Sequence, residues 1–275
     1  MNKNKKITII SISVVILLII IGFWYYKFRI PYNEAKKDLI KITDEIQKEN
    51  EKLQKSIETG ETALDTEEKP LNEDTRSNLQ VAISEAKESI VEIPETPKKT
   101  EEALNLIDTI KVPDYTNLID NINNKTKDFT DNIKQLKQVT NPSEDFIVKR
   151  LKDVDLVKNI ELVTEDNDPN NNLNKTQGYT ADAYFSSTLI NGGNTSGKSI
   201  IDYGTNAGGS IEVYETVENA IKRNEYLSNF DGPGLLNPGS HSVLGTIVIR
   251  TSSQLTASQQ KDLENKIIES FIRLD

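Results

Sequence analysis

The chain contains no cysteine. That excludes a disulfide framework, a thiol nucleophile and a cysteine-ligated zinc site. There is one histidine, His241, so a two-histidine HExxH zinc motif is excluded as well. Aromatic residues make up only 6% of the chain, which leaves few to line a ligand surface once a core is filled. Positive charge is also scarce: 33 Lys and Arg stand against 43 Asp and Glu, a net charge of −10. A nucleic-acid footprint needs clustered basic residues, so nucleic acid is not an expected partner. Glycine is nearly missing from the first half, where 2 of the 13 glycines precede residue 141. That half therefore has few of the residues that break helices.

What is present begins with an uncharged stretch of 20 residues, Ile7 to Tyr26, preceded by Lys3, Lys5 and Lys6. About 20 apolar residues in a helix cross the roughly 30 Å of bilayer hydrocarbon. Trp24, Tyr25 and Tyr26 suit the interface, and Gly22-Phe23-Trp24 is too bulky for a signal-peptidase site. The expectation is an uncleaved anchor over 7–26 in a single-pass protein of the cell membrane. Residues 1–6 would be cytoplasmic and the body extracellular, by the positive charge before the helix.

Residues 32–140 read as a helical stalk or bundle. Leu39, Ile42, Ile46, Leu53 and Ile57 follow a heptad stripe, interrupted at Glu49 and Ser56 and ended by Gly60. A second segment carries Leu79, Ile83, Ala86 and Ile90. A third runs from Thr100 with Leu104, Ile107 and Ile110, and a fourth carries Leu118, Ile122, Phe129, Ile133 and Leu136. Prolines 70, 94, 97 and 113 separate the four. Narrow apolar stripes have to be buried against one another, within the chain or between copies of it, so a homo-oligomer through this region is one expected partner.

At Asn141-Pro142 the composition changes, and 141–275 reads as an α+β domain with an antiparallel or mixed sheet. A helix is expected at 142–153, capped by Asn141. Strands are expected at 160–163, 179–187, 199–203, 210–214 and 242–250, and helices at 217–229 and from Thr256. Thr256 and Gln259 have the spacing of a capping box. Along 179–187, Tyr179, Ala181, Ala183 and Phe185 alternate with Thr180, Asp182 and Tyr184.

Three motifs suggest chemistry. Gly192 to Ser199 matches GxxxxGK[ST], the phosphate-binding loop, but that loop needs a following helix, and Ile200 to Gly204 is too short to provide one. It reads as a surface turn. Asp166, Asp168 and Asn170 have the spacing of the first three ligands of a calcium loop, although Asn171 and Gln177 stand where an EF-hand has Gly and Glu. The alternatives are a calcium turn of another kind and an Asx turn closed on its own backbone. No other cofactor is indicated. His241 lies beside Ser240 and Ser242, but there is no GxSxG elbow, so a structural role is expected for it.

Asp168-Pro169-Asn170, Gly178-Tyr179-Thr180, Gly208 to Tyr214 and Gly245 to Arg250 together resemble a C-terminal domain found in secreted or membrane-anchored proteins of Gram-positive bacteria. The resemblance covers the second half and implies location and boundary, with no activity and no catalytic residues. The helical half is loosely similar to spacer segments of surface adhesins. The expected function is a membrane-anchored extracellular protein presenting a binding domain to a cell-envelope protein or surface ligand. The alternatives are a small envelope hydrolase and a stalk-mediated assembly protein.

Overall fold

The computed structural model describes residues 3–190, 199–232, 234 and 237–275. The helices are α1 (Lys3–Trp24), α2 (Ile30–Leu64), α3 (Asp74–Glu88), α4 (Thr100–Thr109), α5 (Thr116–Gln138), α6 (Glu144–Lys152), α7 (Ile200–Tyr203), α8 (Val217–Ser228) and α9 (Ala257–Ile272). The strands are β1 (Val157–Leu162), β2 (Tyr179–Ser187), β3 (Gly208–Tyr214), β4 (Ser240–Leu244) and β5 (Ile247–Thr251). The chain divides into two compact units, one of residues 1–66 and 76–127, the other of residues 67–75 and 128–275. The contact boundary thus runs through α5 and brings 67–75 into the second unit, whereas proline spacing and composition place the change at residue 141.

In the first unit, α1 continues through one π-helical turn, Tyr25–Arg29, into α2. The Ile30 N–H reaches the Tyr25 carbonyl, the five-residue step of a π-turn. Among the described residues this is the one helix long and apolar enough to cross a membrane. Its large apolar side chains from Ile12 to Phe28 are 50–74% exposed, so none of the described residues covers them.

Beyond the π-turn the heptad stripe does bury. Leu39, Ile46, Leu53 and Ile57 are fully enclosed with Leu79, Ala86 and Ile122. Gly60 does not end the helix, which runs on to Leu64. A Cβ there would lie 2.9 Å from Ile83 Cδ1 and 3.3 Å from Ile122 Cγ2, so glycine gives α2 its close approach to α3 and α5. Ser56, an interruption of the stripe, is buried in the same seam. Asn50 ties the unit together by polar bonds. Its Nδ2 donates to the Val91 carbonyl (2.8 Å), and the Tyr115 hydroxyl donates to its Oδ1 (2.9 Å) while accepting from the Val91 N–H (2.9 Å). The expected stripe on α4 is only partly inward: Ala103 is buried and Leu104 is half exposed, because the short helix turns its alanine to α2.

The second unit is an α+β fold whose five-stranded sheet, in the order β1-β2-β3-β5-β4, is antiparallel throughout. One face carries Ala181, Ala183, Phe185, Ile211, Val213, Ile247 and Ile249 under α6 and α9, with Ile147, Leu151, Leu263, Ile267 and Phe271 buried against them. The other carries Tyr184, Tyr214 and Val248 under α7, α8 and the 164–178 loop, through Leu173, Ile200, Ala220 and Leu227. With both faces covered, the polar positions of β2 and β3 are buried as thoroughly as the apolar ones, except Thr180 near the start of β2, which is exposed.

Three local expectations are corrected. Asn141 does not cap α6: its φ of 46° takes the chain through a left-handed turn, and Ser143 caps instead, accepting from the Phe146 N–H at 3.3 Å. Residues 199–203 form the helical turn α7, because Ser199 and Asp202 make a capping box that overrides the β preference of Ile200 and Ile201. The single strand at 242–250 is a hairpin, β4 and β5, in which Gly245 at φ 60° opens a two-residue turn and Leu244 pairs with Ile247. Val217 and Ile221 on α8 are exposed, and the helix packs through Ala220 and Leu227. Thr256 and Gln259 do form the capping box of α9.

Candidate functional site

The chemistry of the second unit is concentrated on the sheet face beneath α8. On β3 the residues alternate: Ile211 and Val213 go to one core, and Ser210, Glu212 and Tyr214 to the other face. Asp182 of β2 lies directly opposite Glu212 in the register, and neither has any exposed surface. Arg250 arrives from β5, and Arg223 is brought down by α8, whose first turn is fixed by Thr216 accepting from the Asn219 N–H.

Glu212 is fully engaged. Arg223 donates to it twice, from Nε and Nη2, both at 2.8 Å. Arg250 Nη1 adds a bond at 2.9 Å and the Tyr214 hydroxyl one at 2.8 Å. Each carboxylate oxygen thus accepts two hydrogen bonds. Burial pulls the Glu212 carboxyl upward, but the bonds and charge of Arg223, with the charge of Arg250, outweigh it and hold the group below its ordinary range. Burial would likewise weaken the Arg223 cation, and its bonds to Glu212 reverse that. Asp182 is in the opposite state. Neither of its oxygens has a hydrogen-bond partner among the described residues. Burial first, and the negative charge of Glu212 second, push its carboxyl well above the usual range. Two like carboxyls at opposed positions of a buried sheet face disfavour joint ionisation, and here the arginines favour the charge on Glu212. The hydroxyls of Tyr214 and Tyr184 on the same face are raised by burial and by the neighbouring carboxyls.

Beside this cluster lies a cleft of about 790 Å³. Arg223 and Arg250 form part of its wall, with Tyr226, Phe230, Asn206 and Gln254 around them. Among its described lining residues none is acidic. The rings of Tyr226 and Phe230 meet edge to face at 5.2 Å, and the Arg223 guanidinium lies over the Tyr226 ring at 5.6 Å. The arrangement offers cationic forks, amide groups and an aromatic edge, a set suited to holding a polar ligand.

Of the three candidate calcium ligands, Asp168 and Asn170 come together and Asp166 is exposed on the loop. Asp168 Oδ1 accepts from the Asn170 N–H at 2.9 Å and from the Tyr179 hydroxyl. Its Oδ2 accepts from the N–H groups of Asn172 (2.6 Å) and Leu173 (2.7 Å). A carboxylate has about four lone-pair sites, and all four meet donors of the chain. Burial alone would raise the Asp168 carboxyl; the Tyr179 hydroxyl and these N–H groups outweigh it and lower it. The geometry is that of an Asx turn closed on its own backbone.

Most of the phosphate-loop match, residues 192–198, lies outside the described residues. At its end, Ser199 Oγ (3.0 Å) and the Ile200 N–H (2.7 Å) both donate to Glu161 Oε2. A side-chain carboxylate thus occupies the helix start where such a loop would present a phosphate. His241 is held at both ring nitrogens, Nδ1 at 2.7 Å from Asn224 Oδ1 and Nε2 at 3.1 Å from Asp231 Oδ1. The neighbouring Ser240 hydroxyl donates to Glu264 (3.0 Å) and not to the imidazole, so no Ser–His relay forms.

Sequence reasoning missed Asp182, Glu212, Arg223 and Arg250. The signal was present in Ser210-Ile211-Glu212-Val213-Tyr214, an acid inside a strongly β-forming run, and in Arg250 closing another. No family model, curated protein or solved structure matches the chain.

Proposed function

We propose that this is a membrane-anchored binding protein, held by its first helix with the N-terminus cytoplasmic and the second unit outside the cell, where it engages a surface ligand or another envelope component. The observation that carries the reading is the apolar surface from Ile12 to Phe28, more than half exposed at nearly every large side chain and left uncovered by the described residues. Removing one such side chain from water contributes about 1.5–3 kcal/mol, so a helix of them belongs in hydrocarbon. The aromatic and basic run Trp24 to Arg29 marks the emerging end. Binding, with no bond chemistry, suits the second unit because its most reactive groups are already engaged: Glu212 by four hydrogen bonds and His241 at both nitrogens.

A second reading, a small envelope hydrolase, has one observation in its favour. Asp182 and Glu212 are a carboxyl pair with proton affinities driven apart, as in acid–base catalysis. Both are sealed from solvent, so a substrate has no route to either, and binding remains the better account.

The test uses the cysteine-free background. Asn4→Cys and Ser228→Cys are made separately and intact cells are treated with a membrane-impermeant maleimide. Labelling at 228 alone is expected. Labelling at 4 alone reverses the orientation, and recovery of the chain in the soluble fraction after lysis overturns the anchor.

A further inference from the structure

The hydrogen-bonded charges around the cleft do not balance. Two guanidinium groups, with side chains only 16% and 11% exposed, share the single carboxylate of Glu212. Asp182 accepts a bond from neither arginine, and Arg250 Nε is buried without a hydrogen-bond partner among the described residues. Charges held this far from water are stable when paired, and here one cation exceeds the anions bonded to it. The surplus faces a cleft with no acidic group among its described lining residues, in a chain of net charge −10. An anion from outside would complete the set, and Arg favours carboxylate or phosphate because its planar fork matches their oxygens.

The remainder of the lining narrows the class further. Tyr226 is 55% exposed and stands edge to face with Phe230, giving an aromatic platform that carries a polar tip. Asn206 and Gln254, exposed at the cleft, both donate and accept, as ring hydroxyls require. An aromatic face, amides and an arginine fork are together complementary to a charged sugar.

We infer that the cleft takes an anionic sugar, a ring bearing a carboxylate or a phosphate, with Arg223 and Arg250 on the anion and Tyr226 and Phe230 along the ring. This rests on the reading of the second unit as a binding domain.

The full chain in detergent micelles is titrated calorimetrically with four probes: a glucuronate-containing tetrasaccharide, its carboxyl-reduced form, glucose 6-phosphate and inorganic phosphate. The expected result is that the glucuronate sugar or glucose 6-phosphate binds at least about tenfold more tightly than its counterpart lacking charge or ring, a difference of about 1.4 kcal/mol, and more weakly as salt rises. Arg250→Gln should abolish binding, but it leaves Glu212 short of a partner and can cost the fold. Tyr226→Ala and Gln254→Ala, both on the exposed rim, are therefore made alongside and should each weaken binding about tenfold with an unchanged circular dichroism spectrum. Equal affinity for the tetrasaccharide and its reduced form overturns the anionic requirement and leaves the cleft as a binding site. Equal affinity for phosphate and glucose 6-phosphate, with no binding of the tetrasaccharide, overturns the sugar. Binding that neither rim variant weakens overturns the cleft itself, and no binding of any probe by the folded chain overturns the inference.

Discussion

Asp182 and Glu212 face each other across the β2–β3 pair, both without exposed surface, and among the described residues only the Glu212 carboxyl finds hydrogen-bond partners. Arg223, Arg250 and Tyr214 all converge on one member of the pair and leave the other without a hydrogen-bond partner among the described residues.

This asymmetry gives stability a defined dependence on pH. The folded-state affinity of Asp182 for its proton is raised, so its contribution is full below its unfolded value and is lost as pH rises through the folded value. Over that window the native state binds one more proton than the unfolded state, a loss of up to about 1.4 kcal/mol per pH unit. Glu212 works the other way: its contribution is present above the ordinary glutamate range and is lost as pH falls through its lowered value. Asp182→Asn should flatten the decline above the carboxylate range while leaving the acid limb intact. Urea denaturation across a pH series reads both limbs, and an unchanged slope above the carboxylate range would contradict the raised proton affinity of Asp182.

Glu212→Gln removes the only carboxylate bonded to two buried guanidinium groups. Breaking a buried pair from one side costs about 3–5 kcal/mol. The loss should be largest at neutral pH and shrink in acid, where the native carboxylate is itself protonated. Thermal denaturation at pH 7 and at low pH distinguishes this from a simple loss of packing.

Asp168→Ala leaves three loop N–H groups and the Tyr179 hydroxyl without their acceptor. A loss of about 1–3 kcal/mol is expected. Because those donors fill the carboxylate, the loss should be the same in millimolar calcium and in chelator. A melting temperature that rises with calcium in the wild type and not in the variant would return metal binding to this loop.

Gly60→Leu places a branched side chain where even a Cβ lies 2.9 Å from Ile83. Overpacking of this kind costs about 1–3 kcal/mol, against a gain in helix propensity of about 1 kcal/mol or less over glycine. Net destabilisation in urea is expected, with recovery when Ile83→Ala is added.

Much of the fold was legible where one signal acts alone. The stripe Leu39, Ile46, Leu53 is a helical period, β2 spans Tyr179 to Ser187 and alternates from Ala181 to Phe185, and Thr256 with Gln259 fixes a helix start; all three lie where expected, except that a register shift after Tyr179 turns its ring to the face of Tyr184 and Tyr214. Errors arose where local signals competed. The β-branched pair Ile200-Ile201 outweighed the capping box beside it, and the run from Ser242 to Arg250 concealed a turn that depends on one left-handed glycine. The candidate site was illegible for a different reason. Asp182 occupies the polar position of an alternating strand, which reads as solvent-facing. Its burial depends on a second layer, with Arg223 coming from eleven residues beyond Glu212 and Arg250 from thirty-eight. Periodicity can show that a strand has two faces, but it cannot show that both are covered.

The π-turn at Tyr25–Arg29 bears on how the apolar helix α1 is coupled to α2. One extra residue in a turn advances the downstream helix by about 100°. From Ile12 to Trp24 the helix before it is apolar on nearly every side, so inside a bilayer its phase would be energetically idle, whereas the phase of α2 is fixed by Leu39 and its neighbours. The turn therefore works as a rotary joint with a set offset: the aromatic collar from Trp24 to Tyr26 is clocked against the buried seam of α2 by a single inserted residue, and one deletion there would re-aim the collar without altering any residue of the seam.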